Sequence, residues 1–258
     1  MPAQVTLVSL YGNKNEGFAA VVGELQELVS QVVPAFAPYD IRQVHATIIG
    51  LERDRAPALN ANFLRFRGQE RRMDFTGFLA FLRECSKLPF KLQIGGFANG
   101  DNPFTSRNLR PFERTFSVQG DKVVLMGWPV ICDASVPALE GAVTPSPQYP
   151  STLEFIRRAA QRFGILHAFH RIVTEVDNDL YFRIGLINAK AANPEAIRAL
   201  ETQARQLLST RPPLFVEIGL DDIFVAAYED DRLPTSTTRV RSVADPKVTG
   251  DFVAGLFG

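Results

Sequence analysis

The chain has 258 residues, 46% of them hydrophobic and 22% charged, which is the composition of a globular protein with ample apolar material for a core. Disorder over most of the chain is therefore excluded. Its 28 lysines and arginines balance 28 aspartates and glutamates, so the chain lacks the basic character of proteins that bind duplex nucleic acid. We expect no duplex DNA partner, although a locally basic cleft is compatible with this balance.

Cysteine usage and hydropathy indicate the environment in which the protein works. Cys85 and Cys132 lie far apart in the sequence, so neither a disulfide framework nor a zinc knuckle is indicated. The N-terminus has no basic start followed by a long apolar run, and no stretch approaches about 18 uninterrupted apolar residues, the minimum for a membrane-spanning helix. We expect a soluble, cytoplasmic protein without a membrane partner, and the sequence leaves the oligomeric state open.

The first part of the chain alternates strand and helix patterns. Residues 5–11 are rich in β-formers and predict a strand. Apolar residues at helical spacing then predict a helix that ends at Pro34. A second strand is predicted over residues 44–52, before a polar stretch that reads as a loop or a solvated helix. Asp74 is the predicted N-cap of the next helix.

The middle of the chain predicts two further strands and two long connections. Residues 90–97 alternate in polarity and residues 122–131 are apolar enough to lie inside a sheet. Residues 98–120 between them predict a long excursion. The prolines within residues 133–150 make that segment the best candidate for a connector between two halves of the fold.

Helix and strand patterns alternate again towards the C-terminus. Ser151 and Glu154 have the spacing of a capping box and predict a helix start. A strand is predicted over residues 180–188, and Pro194 predicts the start of another helix. Residues 214–228 predict either a bent strand or a hairpin. The chain from Asp230 onwards is expected to be extended or partly disordered.

The order of these elements predicts the fold class. Strands and helices are mixed without the regular alternation of a doubly wound parallel sheet, so an α+β class follows. Glycine-rich phosphate loops of the common types do not occur in the sequence, which argues against a nucleoside triphosphatase or a dinucleotide-dependent dehydrogenase.

His45 and Thr47 are the first candidates for chemistry. They lie two residues apart in a predicted strand, so their side chains share one face. An imidazole that titrates near neutral pH, beside a hydroxyl, can bind and protonate a phosphoryl oxygen. An isolated His-x-Thr pattern in a strand is also common by chance, and a structural or surface histidine is the alternative interpretation.

The surroundings of this motif point to a family. The segment VHATIIGLE, preceded by a strand and a helix and followed by a polar loop and a helix, resembles the first half of the two-histidine phosphoesterases, the LigT-like cyclic phosphodiesterases. FKLQIGGF with KVVLMGWPV resembles the strand pair of that family, and PPLFVEIGLDDIFVAAYEDDRLP resembles its closing strands. By order of elements the resemblance extends over residues 5–234, with His45 and Thr47 matching its diagnostic motif.

The resemblance implies a fold. It is a two-lobed α+β domain over residues 1–235, with mostly antiparallel sheets flanked by helices around a central cleft, followed by a tail over residues 236–258. Each lobe of the family presents one His-x-Thr or His-x-Ser pair to the cleft. In this sequence, Tyr181 lies as far beyond Ser151 as His45 lies beyond Asn15, and Arg183 stands in the threonine position.

The resemblance also implies roles. His45 is the acid or base, Thr47 supports the phosphate, Tyr181 replaces the second histidine, and Arg183 clamps the phosphate through its planar fork. The implied activity is a phosphoesterase that needs no metal or other cofactor and acts on a cyclic nucleotide or an RNA end with a 2′,3′-cyclic phosphate. Because the second motif is altered, the alternative is a non-catalytic module that binds a phosphate, a nucleotide or a protein partner.

Four further residues are weaker candidates. Tyr11 and Phe97 are placed to stack on a base at the rim of the cleft, although a core position is the more common role of such residues. His167 and His170 have the i,i+3 spacing of one helix face, and we include His170 among the ligand-binding candidates. With His45 these two histidines allow a metal-dependent hydrolase as a third hypothesis, whereas partly exposed residues near a helix end are the simpler interpretation.

Overall fold

The computed structural model describes residues 4–54, 58–100, 102, 104–131, 147–188 and 193–257, and it has an α+β fold built on a large antiparallel sheet. The strands are β1 (Gln4–Ser9), β2 (Ala37–Pro38), β3 (Ala46–Gly50), β4 (Phe90–Ile94), β5 (Phe116–Gln119), β6 (Lys122–Val130), β7 (Leu180–Leu186), β8 (Leu214–Ile218), β9 (Ile223–Tyr228) and β10 (Arg239–Ser242). The helices are α1 (Glu16–Val32), α2 (Ala61–Arg67), α3 (Phe75–Arg83), α4 (Pro111–Arg114), α5 (Thr152–Ala159), α6 (Pro194–Thr210) and α7 (Gly250–Gly255). The predicted α+β class is confirmed.

The order of the strands brings distant parts of the chain together. Along the described sheet the order is β10-β9-β1-β3-β7-β6-β4-β8, with β2 also paired to β7 and β5 to β6. The recorded pairs are antiparallel. Strand β3 from the first part of the chain therefore lies beside β7 from the second part, at the middle of the sheet.

The two longest described helices pack against each other and against one face of the sheet. Helix α1 begins where the Asn15 side chain accepts hydrogen bonds from the first-turn amides, and Asn193 caps α6 in the same way. Their apolar stripes, including Phe18 and Leu25 of α1 and Leu200 of α6, are buried in the main core. The polar residues of the candidate site lie on the opposite face of the sheet.

Helix α5 is capped by a residue that lies far along the chain, so the predicted capping box at Ser151 and Glu154 was wrong. The Ser151 side chain makes no cap hydrogen bond. Instead, Asn178 Oδ1 accepts from the amides of Leu153 and Glu154 at 3.1 and 3.3 Å, and Asn178 Nδ2 donates to the Pro150 carbonyl at 3.0 Å. Asn178 thereby ties the segment before β7 to the start of α5.

We expect Asn178→Ala to lower the free energy of unfolding by about 1 kcal/mol, because it removes the cap of α5. Ser151→Ala is the matched control and should change stability by less than about 0.5 kcal/mol. Urea unfolding of both variants measures the two effects. An equal cost for the two substitutions would contradict the assignment of Asn178 as the cap.

The connections agree with the expectations only in part. Residues 214–228 are neither a bent strand nor a hairpin, because β8 pairs with β4 and β9 pairs with β1 in a distant part of the sheet. Residues 98–120 form the expected long connection between β4 and β6 and contain α4 and β5, and the polar stretch after β3 contains the helix α2, one of the two expected alternatives. The predicted connector over 133–150 lies mostly outside the described residues, as does Cys132.

The expectation of an extended or partly disordered C-terminal end was wrong as well. Strand β10 pairs with β9, and α7 packs on α3. Val243, Val253 and Phe257 are buried in the main core. The segment is polar overall, but these few apolar residues are enough to attach it to the core. Within the described part of the chain, helices long and apolar enough to cross a membrane are absent.

Candidate functional site

Strands β3 and β7 bring the predicted site residues together. Their recorded pairing is Ala46 opposite Phe182, and both of these side chains are fully buried in the main core. Because side chains alternate along a strand, His45 and Thr47 on one strand and Tyr181 and Arg183 on the other face the opposite side of the sheet. The antiparallel register sets His45 across from Arg183 and Thr47 across from Tyr181.

Two neighbouring cavities open on this face, with volumes of about 430 and 200 Å³. Thr47, Glu52, Tyr181 and Arg183 line both cavities, so the two are parts of one cleft, which we call the central cleft. The smaller part is completed by Thr6, Tyr39, His45, Tyr228, Asp231 and Leu233. The larger part is completed by Gly50, Arg107, Gln119, Lys122, Arg157, His167, Ala168, Phe169, Asp177 and Asp179.

The His45 ring is held in one orientation by the backbone. Its Nδ1 lies 2.6 Å from the Gln43 carbonyl oxygen, which can only accept, so Nδ1 carries the proton and Nε2 carries the lone pair of the neutral ring. Burial lowers the pKa of His45 to about 4, and the nearby charges of Arg183 and Lys14 add to this effect against the Gln43 hydrogen bond. At neutral pH the ring is a neutral proton acceptor.

Tyr11 supports the His45 ring. The sequence-based prediction that Tyr11 stacks on a base at the rim of the cleft was wrong. Its side chain is buried, with the ring centroid 5.7 Å from that of His45. The phenol donates to the Leu233 carbonyl at 3.0 Å. A base could not stack on a ring that is already covered by His45 and anchored in this way.

Phe97 is also a core residue, so its predicted place at the cleft rim was wrong. It packs edge-on against Trp128, with ring centroids 5.2 Å apart, and against Phe104 and Tyr149. These rings belong to an apolar cluster, and Tyr181 packs against that cluster. The cluster fixes the position of the Tyr181 ring while leaving Phe97 buried.

Tyr181 and Arg183 provide a hydrogen-bond donor and a cation. Burial raises the pKa of Tyr181 to about 12, so its phenol remains protonated at physiological pH. Arg183 Nη1 lies 3.3 Å from the Tyr39 hydroxyl and 3.4 Å from Asp231 Oδ2, and the Asp231 side chain is 73% exposed. An ion pair this open to solvent is weak, so Arg183 can exchange Asp231 for an anionic ligand at little cost.

A β-bulge in β3 places a residue in the cleft that simple alternation would bury. The pairing of β1 with β3 shifts between Leu7 and Val8, which leaves Ile48 as the extra residue. Beyond the bulge, Ile49 lies in the core, whereas Gly50 and Glu52 face the cleft. The sequence interpretation missed Glu52 because strict alternation from Thr47 puts residue 52 on the other side.

Arg157 of α5 satisfies the backbone groups that this bulge leaves open. Its side chain is buried and donates to the carbonyls of Ile48 at 2.9 Å and Thr47 at 3.1 Å. The same guanidinium donates to the carbonyls of Asp177 and Asp179 and to Asp177 Oδ2 at 3.1 Å. Arg157 therefore links β3 to the segment that precedes β7.

Asp177 is the anionic centre of this buried network. It accepts from Arg107 at 2.6 Å and from His167 Nε2 at 2.7 Å, in addition to Arg157. Burial by itself would raise the pKa of Asp177, but Arg157 and His167 outweigh burial and hold the pKa well below its usual range. The carboxylate is ionised and its charge is largely compensated.

His167 and His170 are both buried, so the interpretation as partly exposed residues was wrong. Burial lowers the pKa of His167 to about 4, and Arg157 lowers it further against the effect of Asp177. His170 is fully buried and donates from Nε2 to Glu154 Oε2 at 2.9 Å. It lines neither part of the central cleft, and its predicted role in ligand binding is not supported; His167 lines the larger part instead.

The third hypothesis required His45, His167 and His170 to bind one metal ion. Within the described residues, groups of three or more histidine, cysteine, aspartate or glutamate side chains that could hold a metal are absent. His167 and His170 are each engaged with a different carboxylate. A metal-dependent hydrolase built on these histidines is therefore not supported.

The structure thus defines a polar cleft at the middle of an antiparallel sheet in an α+β protein. Comparisons with known proteins add little to this class. No family model and no curated protein matches the sequence. The crystal structure of TT0787 of Thermus thermophilus is similar over 93% of this chain and 94% of that chain, with 12% identity and a TM-score of 0.42.

Proposed function

We propose that the protein is a metal-independent phosphoesterase that hydrolyses a cyclic nucleotide or the 2′,3′-cyclic phosphate of an RNA end. The observation that carries the proposal is His45, a neutral imidazole held by the Gln43 carbonyl so that Nε2 is the basic atom, on a cleft wall that it shares with Arg183. A base beside a cation is what hydrolysis of a phosphodiester by water requires.

The other residues of the cleft have roles in binding the phosphate. Arg183 pairs with the charge of the phosphoryl oxygens, and Thr47 donates a hydrogen bond without adding charge. Tyr181 occupies the position of a second histidine and donates from a phenol that stays protonated. His45 takes a proton from the attacking water as the new P–O bond forms.

The sheet supports the two-lobed, LigT-like form as part of this proposal. The halves β10-β9-β1-β3 and β7-β6-β4-β8 meet where β3 pairs with β7, and that pairing is recorded at a single position, Ala46 with Phe182. Each half contributes one strand with two cleft residues to the centre. This is the arrangement expected of two lobes that share one site.

A second candidate function is a non-catalytic module that binds a phosphate or nucleotide. The observation that favours it is Tyr181 in the second motif, because a phenol with a pKa of about 12 cannot replace a histidine as a base near neutral pH. The binding residues Thr47 and Arg183 are the same in both functions, so only turnover separates them.

The test is the turnover of 2′,3′-cyclic nucleotides and of short RNAs with a terminal 2′,3′-cyclic phosphate, in the presence of EDTA. We expect hydrolysis by the wild type, and a KM that rises by about 10- to 100-fold in Arg183→Gln, since hydrogen bonds to a charged group contribute about 1.5–3 kcal/mol. Arg232→Gln is the matched control, because Arg232 is an exposed neighbour paired with Asp230, and its KM should be unchanged.

The outcomes separate the two functions. Binding of these ligands by calorimetry without turnover would favour the non-catalytic module. Hydrolysis that EDTA abolishes would contradict the metal-independent mechanism. The absence of both binding and turnover would contradict the assignment of the central cleft to cyclic phosphates.

A further inference from the structure

Glu52 lies at the junction of the two parts of the central cleft, and the phosphate chemistry proposed above does not use it. It lines both cavities together with Thr47, Tyr181 and Arg183. An ionised carboxylate at this place would repel a phosphate. The presence of an acidic side chain among the ligand-binding residues therefore needs an explanation.

Two backbone features place the carboxyl group there. The bulge at Ile48 turns Gly50 and Glu52 towards the cleft, and the absence of a side chain at Gly50 leaves room for the carboxyl. A Cβ atom at residue 50 would overlap both carboxyl oxygens of Glu52. The backbone of the strand therefore determines the position of this carboxyl group.

The surroundings of the carboxyl disfavour its ionised form. Glu52 Oε2 is withdrawn from solvent and has no hydrogen-bond partner among the described residues. Burial raises the pKa of Glu52 against the smaller effect of a hydrogen bond to its own backbone. In the smaller part of the cleft, Arg183 is the permanent cation among the titratable and charged groups, which are His45, Tyr181, Arg183, Tyr228, Tyr39 and Asp231. The larger part adds Lys122, His167 and Asp179, together with Arg107 and Arg157, which are both paired with Asp177. The Arg183 guanidinium contacts Tyr39 and Asp231, and among the described residues it forms no ion pair with Glu52.

We propose that Glu52 is a further catalytic residue, a neutral carboxylic acid that donates its proton to the departing ribose oxygen. The proposal rests on the phosphoesterase function proposed above. It supplies the acid that the altered second motif lacks, because Tyr181 holds its proton too tightly to give it up readily near neutral pH.

The reaction balances with these two residues. The oxygen of water forms a bond to phosphorus while its proton moves to Nε2 of His45. The bond between phosphorus and the ribose oxygen breaks, and the electron pair of that oxygen takes the proton of Glu52. The product is a phosphomonoester with a free hydroxyl, and the proton on His45 returns to Glu52 through solvent, which restores the neutral pair.

The test compares Glu52→Gln with wild type on two substrates that differ only in the need for an acid. One is a 2′,3′-cyclic nucleotide, and the other is its analogue with sulfur in place of the leaving ribose oxygen, prepared at the 2′ and at the 3′ position. A thiolate departs without a proton. We expect kcat for the oxygen substrate to fall by about 10²–10⁴-fold and kcat for the sulfur analogue to change by less than about 5-fold.

Two further variants separate catalysis from structure. Gly50→Ala keeps the carboxyl but displaces it, and should show the same selective loss. Glu229→Gln changes an exposed glutamate that follows the cleft residue Tyr228 in the sequence, and it should behave as wild type on both substrates. The thermal unfolding midpoint of Glu52→Gln should change little, because glutamine has the shape of a neutral glutamic acid and the substitution removes no hydrogen bond from Oε2.

Each outcome has a defined meaning. Full activity of Glu52→Gln on the oxygen substrate, or an equal loss on both substrates, would overturn the role of Glu52 and leave the phosphoesterase function intact. A wild type without turnover on either substrate would overturn the phosphoesterase function, and the role of Glu52 with it.

Discussion

Replacement of His45 by glutamine is expected to lower kcat/KM for 2′,3′-cyclic nucleotides by about 10²–10⁴-fold, the usual contribution of a general base. Glutamine preserves the size of the side chain and can still donate to the Gln43 carbonyl, but its amide cannot accept a proton. His45 Nε2 is the basic atom that faces the cleft in our assignment. In His167 and His170, Nε2 is bonded to a carboxylate and the remaining acceptor, Nδ1, is withdrawn from solvent, so neither ring can take the place of His45.

Tyr11→Phe is the matched control for the His45 variant. It leaves the ring that packs on His45 in place and removes only the hydroxyl that donates to Leu233, a change worth about 1 kcal/mol of stability. We expect less than about a 10-fold loss of activity. A His45→Gln variant that retains the activity of wild type would show that the base lies elsewhere, whatever the result for Tyr11.

The pH dependence provides a second measurement on the same residue. With its pKa lowered to about 4 by burial, His45 stays neutral down to that pH, and kcat/KM should show its acid limb near pH 4 and not near the usual value of 6.5. An acid limb near pH 6.5 would mean that the ring is well solvated. Circular dichroism should accompany these assays, because the fold itself loses stability in acid.

That loss of stability has the same origin as the shift in pKa. In the unfolded chain His45 and His167 take up protons as the pH falls below 6.5, whereas in the folded chain they resist until about pH 4. The unfolded state therefore binds more protons across this window. The contribution of the neutral rings to stability is complete above pH 6.5 and is lost as the pH falls from 6.5 to 4.

Local signals in the sequence were sufficient for much of the fold. Asn15 and Asn193 cap helices that pack in the core, and the period of two around Ala46 and Phe182 placed the cleft residues on one face. The count along the chain from Asn15 to His45 also led to Tyr181, which lies beside the motif strand. The caps and the alternation depend on residues close in sequence, which is why they could be predicted, whereas the prediction for Tyr181 came from the second motif that the family resemblance implies.

The features that were missed depend on distant contacts or on a broken pattern. The bulge at Ile48 has no sequence signature of its own, so strict alternation along the strand misses Glu52. Arg157 reaches the Ile48 carbonyl across 109 positions of the chain, and only the folded structure reveals it. Tyr11 and Phe97 are aromatic residues, which occur both at cleft rims and in cores, and tertiary packing buries both of them here.

Loss of Arg157 should be the most damaging single change to stability. Arg157→Met keeps most of the volume but leaves Asp177 without one of its cations and four carbonyls, on Thr47, Ile48, Asp177 and Asp179, without their donor. We expect the free energy of unfolding to fall by about 3–5 kcal/mol, the usual cost of breaking a buried ion pair. Urea unfolding at pH 7 measures this value.

Arg171→Ala is the control, because its ion pair with Glu175 is exposed and should contribute less than about 1 kcal/mol.

A double variant separates two roles of Arg157, neutralisation of Asp177 and support of the backbone carbonyls. If the guanidinium only neutralises Asp177, the double variant Arg157→Met, Asp177→Asn should recover most of the stability. If it mainly holds the backbone carbonyls, the double variant should remain unstable and should bind inorganic phosphate weakly, because Thr47 and Glu52 depend on the bulge for their place in the cleft. We expect the second result, since the guanidinium donates to four backbone carbonyls and only one of its recorded hydrogen bonds ends on the Asp177 carboxylate. A cost below about 1 kcal/mol for Arg157→Met would contradict both roles, because either one requires the loss of a buried and hydrogen-bonded cation to be expensive.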